Sequence, residues 1–217
     1  MKIHAVLTGD IINFTRLSPK DRHRLIENSE KLLKSWIKKS ADAEIYRGDS
    51  FQILFDDIPE ALRRSIQLIC WFKVQSDQEN KIYISSRISV GIGQVSYRGK
   101  NVLSSDGEAF HLSGRNFDKL KNDELISIHT DDQKKNKAIS VILNFVNKII
   151  NEWTIPQAEV IFKLIEGQTQ QEIADNLSVS QPSVNSRIKL AHWKDVELAI
   201  NYISELVQKD DGIKLIT

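Results

Sequence analysis

Val6-Leu7-Thr8-Gly9-Asp10-Ile11-Ile12-Asn13-Phe14 begins as an apolar run and meets a glycine–aspartate pair, and Arg47-Gly48-Asp49-Ser50-Phe51 repeats that pair between two further apolar runs. Residues 3 to 8 read as a buried strand. Glu44-Ile45-Tyr46 and Phe51-Gln52-Ile53-Leu54-Phe55 flank Gly48-Asp49 and predict a hairpin over 43 to 55, because glycine and aspartate tolerate a tight turn well. Neighbouring strand ends would then bring Asp10 and Asp49 together. An oxygen-only pair of that kind suits Mg²⁺ or Mn²⁺, and two such ions can hold a triphosphate and activate an attacking oxygen. Taken singly, each aspartate reads more plainly as a turn or loop-capping residue.

Working outward, Ser18-Pro19 supplies a helix start, and Leu25, Leu32, Leu33, Trp36 and Ile37 recur at helical spacing. A second helix is predicted from Pro59 to about Val74, with Leu62, Ile66, Ile69 and Cys70 on its inner stripe. In Arg87 to Gln94, Ile88, Val90 and Ile92 alternate with Ser89, Gly91 and Gly93, which predicts a strand whose second face admits a close neighbour. A helical pattern over 108 to 121 and a short strand from Leu125 to His129 complete the order β-α-β-β-α-β-α-β. The fold class is therefore α+β, a sheet with antiparallel pairs covered by helices. Residues 130 to 137 are all polar, and beyond them no strand pattern survives. A first domain of residues 1–136 and an all-α domain of residues 137–217 are expected, the latter with helices at about 138–152, 155–166, 170–177, 181–191 and 195–208.

A chain of 217 residues with 41% apolar residues can bury a core, and its net charge of +1 gives no global field that would favour or exclude nucleic acid. Cys70 is the only cysteine, so no disulfide forms within the chain, and its setting Ile69-Cys70-Trp71-Phe72 predicts a core thiol. His4, His23, His129 and His192 show no ligand spacing, so zinc is not expected. No stretch approaches the ~18 apolar residues that span a bilayer, and a cytoplasmic protein with no membrane contact is expected. The stretch from Gly93 to Gly99-Lys100 ends in Asn101 and is not a P-loop, and Gly91-Ile92-Gly93 lacks the third glycine of a dinucleotide turn.

Thr169-Gln170-Gln171-Glu172 has the spacing of a capping box, which fixes a helix start. Ile173, Ala174 and Leu177 form that helix's inner face, Ser178-Val179-Ser180 make a turn, and Ser180 and Pro182 open a second helix pinned inward by Val184 and Ile188. This predicts a helix-turn-helix. Gln181, Ser183, Asn185, Ser186, Arg187 and Lys189 then project outward, where each can reach base edges or phosphates of double-stranded DNA. Ile155 to Leu190 resembles the helix-turn-helix modules of sigma factors and response regulators, except that Ser178 stands where glycine is usual. The plainer reading is a helical dimerisation bundle, since residues 137–217 hold eight Lys or Arg against ten Asp or Glu.

Four blocks in order, Val6 to Thr15, Arg47 to Phe51, Arg87 to Gly93 and Gly107 to Arg115, resemble successive motifs of class III nucleotidyl cyclases. Over its whole length, the chain is similar to the SatD family, in which a cyclase-like domain is joined to a DNA-binding tail. The resemblance implies a ferredoxin-like, class III cyclase-like α/β sandwich followed by an all-α helix-turn-helix domain, and a bacterial transcription regulator. It implies Asp10 and Asp49 as metal acids, and Asp10, Ile11, Asp49 and Arg115 as nucleotide contacts. In an active enzyme Arg115 and His111 would serve catalysis. The chain departs from the cyclase pattern at three places: His111 replaces the asparagine that orients the ribose, while Ile45 and Ser104 fall where the purine-selecting lysine and its acidic companion belong. A site retaining phosphate and metal contacts without base and ribose contacts is expected to sense a nucleotide rather than transform it. The alternatives are an active metal-dependent nucleotidyl cyclase and a non-catalytic interaction scaffold. Cyclase sites form between two subunits, and paired helix-turn-helix units read half-sites about 34 Å apart, so a homodimer is expected.

Overall fold

The computed structural model describes residues 2–208. Five strands, β1 (Ile3–Ile12), β2 (Ala43–Tyr46), β3 (Ser50–Phe55), β4 (Ser85–Gln94) and β5 (Ile126–His129), form one sheet in the order β2-β3-β1-β4-β5. All neighbours are antiparallel except β4 and β5, which are parallel. Eight α-helices accompany them among the described residues: α1 (Pro19–Ser35), α2 (Ile58–Val74), α3 (Glu108–Phe117), α4 (Gln133–Glu152), α5 (Ile155–Ile165), α6 (Gln170–Leu177), α7 (Gln181–Leu190) and α8 (Trp193–Gln208). The chain is thus a mixed α+β protein, and no helix among the described residues is long and apolar enough to cross a membrane.

Strand alternation divides the sheet's two faces. Ala5, Leu7 and Ile11 join the large core, whereas Val6 turns to the other face and packs with Leu54, Val102, Ala109 and Phe110 under α3. Helix α2 lies on the first face and also packs on α5 and α8, so the buried apolar cluster runs without a break from Leu7 and Ile53 through Leu62 and Ile66 to Ile161, Val184 and Ile200. Cys70 sits fully buried within it, and burial pushes its thiol pKa far up, as befits an inert core residue.

The small residues of β4 are explained by α3. A Cβ at Gly91 would lie 2.1 Å from the Ala109 carbonyl oxygen and 2.4 Å from the Ser113 nitrogen, so the close neighbour expected on that face is a helix backbone. Glu108 fixes the start of α3 by accepting the Gln94 N–H at 3.2 Å.

Three of the boundaries that differ from expectation bear on the candidate sites and the domain division. Strand β1 extends to Ile12 because β4 continues to pair with it as far as Ser85, so Asp10 lies inside the strand rather than closing it. Helix α3 ends at Phe117, four residues early, where Asp118 and Lys119 turn back onto Gly114 and Asn116. Helix α4 begins at Gln133, inside the all-polar stretch 130–137, because the Asp132 side chain accepts the N–H groups of Lys134 and Lys135. The boundary drawn after Asn136 therefore falls in the first turn of that helix.

Helix α4 is held on the open edge of β5 by two asparagine side chains. Asn147 accepts the N–H groups of Leu125 and Ile126 at 2.9 and 3.0 Å and donates to the Ile126 carbonyl at 2.9 Å. Asn136 accepts from the Thr130 N–H and donates to its carbonyl, both at 2.8 Å. These amides stand in for a sixth strand and protect the edge.

Gly91→Ala is expected to destabilise the chain by about 2 kcal/mol or more, since both obstructing atoms are backbone; a urea melt measures it. His4 and His129 give a pH dependence. Burial, aided by Arg98 for His4 and by Lys119 for His129, lowers both pKa values. The unfolded chain binds protons at its ordinary value near 6.5, before the folded chain does. Their contribution is complete above that value and declines as pH falls through the lowered folded values. His129→Gln should flatten the loss of stability between about pH 7 and pH 5 in urea melts.

Candidate functional site

Asp10 points to the α3 side of the sheet, opposite Ser50 on β3 and Arg87 on β4. The Arg87 guanidinium grips it with a fork, Nε donating to Oδ1 at 3.2 Å and Nη2 to Oδ2 at 2.5 Å. Both side chains are less than a third exposed, 22% for Asp10 and 29% for Arg87, so solvent screens the pair only partly. Arg87 also lies over the Phe117 ring, 5.7 Å from its centre, and its bonds to Asp10 raise its pKa further.

Asp49 belongs to the hairpin turn, where Arg47 (φ 54) and Gly48 (φ 91) take left-handed conformations between the paired residues Tyr46 and Ser50. Its carbonyl accepts the Ile11 N–H at 2.9 Å and its carboxylate accepts the Ser50 hydroxyl at 3.4 Å. The fold therefore sets the Asp49 turn against β1 next to Asp10, which lies inside that strand opposite Ser50 rather than at its end. The Ile11 N–H is committed to that bond, and the Ile11 side chain is buried.

The other residues of the expected nucleotide site are carried by α3. Arg115 is exposed in the last turn of α3 and makes no ion pair among the described residues. His111, also exposed, lies with Nε2 2.8 Å from Asp106 Oδ1. Asp106 is held by backbone bonds to Ser96 and Tyr97. Below Asp10 the same sheet face carries a polar row: Gln52 donates to the Thr8 hydroxyl at 3.1 Å, Thr8 to Ser113 at 3.0 Å, and Ser113 to the Phe110 carbonyl at 3.0 Å. Sequence reasoning missed Arg87 as the partner of Asp10 and missed this row, because both depend on cross-strand register.

The donor set does not present a ready divalent-cation site. Both oxygens of Asp10 are held by Arg87, and a metal would have to displace a charge-assisted fork to reach them.

The second candidate site lies on α6 and α7. Thr169 and Glu172 cap α6 reciprocally: the Thr169 hydroxyl accepts the Glu172 N–H, and the Glu172 carboxylate accepts the Thr169 N–H at 2.7 Å. Those bonds to Thr169 hold the Glu172 pKa below the usual range. At the far end Ser178 is left-handed (φ 53), and the Val179 N–H reaches back to the Ala174 carbonyl at 3.0 Å. The turn thus keeps left-handed geometry without glycine, at a cost of ~1 kcal/mol. Ser180 caps α7 through the Ser183 N–H, and Pro182 occupies its first turn. Val184 and Ile188 are buried. Gln181, Ser186 and Lys189 are exposed, and Ser183, Asn185 and Arg187 are half-buried, so all six expected contact residues reach solvent. Neither Arg187 nor Lys189 forms an ion pair among the described residues.

No protein-family model and no curated protein matches the chain.

Arg87→Ala should cost about 1–3 kcal/mol by removing the fork and leaving Asp10 half-buried and unpaired. Millimolar Mn²⁺ is expected to raise the melting temperature of that variant more than that of the native chain, because the freed carboxylate lies beside Asp49. Equal shifts in both proteins would show that Asp10 and Asp49 do not share a cation.

Proposed function

We propose that the chain is a DNA-binding transcription regulator, in which α6 and α7 form a helix-turn-helix and the outward side of α7 reads duplex DNA. The observation that carries this reading is the division of α7: Val184 and Ile188 are buried, while Gln181, Ser183, Asn185, Ser186, Arg187 and Lys189 are accessible on one short, doubly capped helix. Those side chains supply hydrogen-bond donors and acceptors for base edges and two cations for phosphates. With a net charge of only +1, affinity has to come from this local face. On the SatD resemblance, the sheet with α1 to α3 is a ferredoxin-like, cyclase-like domain that senses a nucleotide or mediates dimerisation in a cytoplasmic homodimer.

The sheet domain is read as non-catalytic. Support comes from the Arg87–Asp10 fork and from the pairing of His111 with Asp106, which engage two of the four expected site residues, Asp10 and His111, with partners inside the chain. A triphosphate with Mg²⁺ or Mn²⁺ would bind there only after Arg87 releases Asp10, and such a ligand would regulate DNA binding by favouring one arrangement of the dimer.

Fluorescence anisotropy with genomic duplex fragments, titrated at several salt concentrations, tests the reading. Binding is expected to weaken linearly in log salt, and Arg187→Ala or Lys189→Ala should each lower affinity ~5-fold or more and reduce the slope by about 1. Affinities and slopes unchanged in both variants would rule out α7 as the DNA-reading element.

A further inference from the structure

Four large apolar side chains left in solvent by the fold lie on two neighbouring helices. Val141 (58% exposed) and Phe145 (61%) are one turn apart on α4, and Leu198 (70%) and Tyr202 (53%) are one turn apart on α8. The buried residues of the same helices, Ile139, Leu143, Val146 and Ile150 on α4 and Val196, Ile200 and Ile203 on α8, occupy the opposite sides. The Trp153 and Trp193 rings, 6.3 Å between centres, join the end of α4 to the start of α8, and the two helices pack together. Helix α8 therefore runs back along α4, which sets Tyr202 near the height of Phe145 and Leu198 near that of Lys148. The result is an apolar ridge pair of the kind that marks an interaction surface.

We propose that this outer face of α4 and α8 is where two copies of the chain associate, α4 of each copy lying against α8 of its partner. Charge favours a second copy as the occupant. The outward side of α4 carries Lys134, Lys137 and Lys148 against Glu152, with Lys148 placed 5.9 Å from the centre of the Phe145 ring, while that of α8 carries Asp195 and Glu205 against Lys194, with Glu197 at its margin, so the first is net cationic and the second net acidic. An isologous pairing sets the cationic helix of each copy against the acidic helix of the other. Area favours it as well. Two adjacent helices, each about 10 Å across, with α8 extending about 24 Å, offer a face on the order of 500 Å² in projection, which reaches the lower range of specific interfaces. The inference deepens the proposed regulator in that it would deliver two α7 helices to one duplex, but the surface itself is argued without reference to DNA.

Sedimentation equilibrium of the full chain over about 1 to 100 μM tests it. A dimer is expected, and Phe145→Glu or Tyr202→Glu should raise its Kd at least ~30-fold while leaving the monomer's melting temperature unchanged, both side chains being exposed. Lys148→Glu and Glu197→Lys should each weaken the dimer, and the double variant should recover to within ~3-fold of the native Kd. A chain that stays monomeric throughout, or a dimer indifferent to Phe145→Glu, overturns the proposal. If the full chain is monomeric and dimers appear only after truncation at Gln208, the face belongs to residues 209–217 of the same chain, which also overturns it. A native dimer that responds to these substitutions but binds no duplex leaves the interface standing and removes the DNA reading, whereas a DNA-binding monomer does the reverse.

Discussion

Helix α2 is buried from two sides, and the remainder of the molecule is arranged by that constraint. One side of the helix covers β1 and β4, the other receives α5 and α8, and ten of its seventeen residues are buried. Two of its polar side chains secure the second contact. Gln67 donates to the Phe162 carbonyl at 3.3 Å, and the Lys73 ammonium donates to the carbonyls of Ile150 and Asn151, both at 3.1 Å, at the end of α4. A buried amide or ammonium is tolerated only where its donors find acceptors, so these bonds fix where the later helices dock. Burial lowers the Lys73 pKa, which records the same enclosure.

The opposite sheet face follows a different rule. Among the described residues it is covered by one short α-helix, α3, together with the turn at 102–104, and α3 approaches so closely that its backbone leaves no room for a side chain at Gly91. Beyond the end of α3 the face is open enough for Asp10 and Arg87 to remain partly solvated. The cheapest arrangement for two half-buried opposite charges in register is a fork between them, and that is what stands there. Asp10 is consequently part of the structure of the sheet before it is anything else, and any ligand that uses it competes with Arg87.

The α6–α7 unit was legible almost to the residue. Helix α6 spans the expected 170–177, and α7 stops one residue short of the expected 181–191, because the signals are local: a reciprocal cap at Thr169 and Glu172, a serine cap and a proline at the start of α7. The hairpin from Ala43 to Phe55 was legible for the same reason. The start of α4 was not, since Asp132 as a cap looks in sequence like one more residue in a polar run, and only its bonds to Lys134 and Lys135 distinguish the two.

Residue order by itself determined the element types, the alternation that assigns each strand residue to a face, the caps of the helices and the inward and outward sides of α7. These follow from interactions between residues a few positions apart, which any local stretch carries with it. Tertiary structure alone decided that Arg87 holds Asp10 from 77 positions away, that the neighbour of Gly91 is α3, and that the asparagines of α4 complete the edge of β5. Each of these depends on strand register or helix docking, quantities fixed by the packing of the whole core and absent from any short stretch of chain.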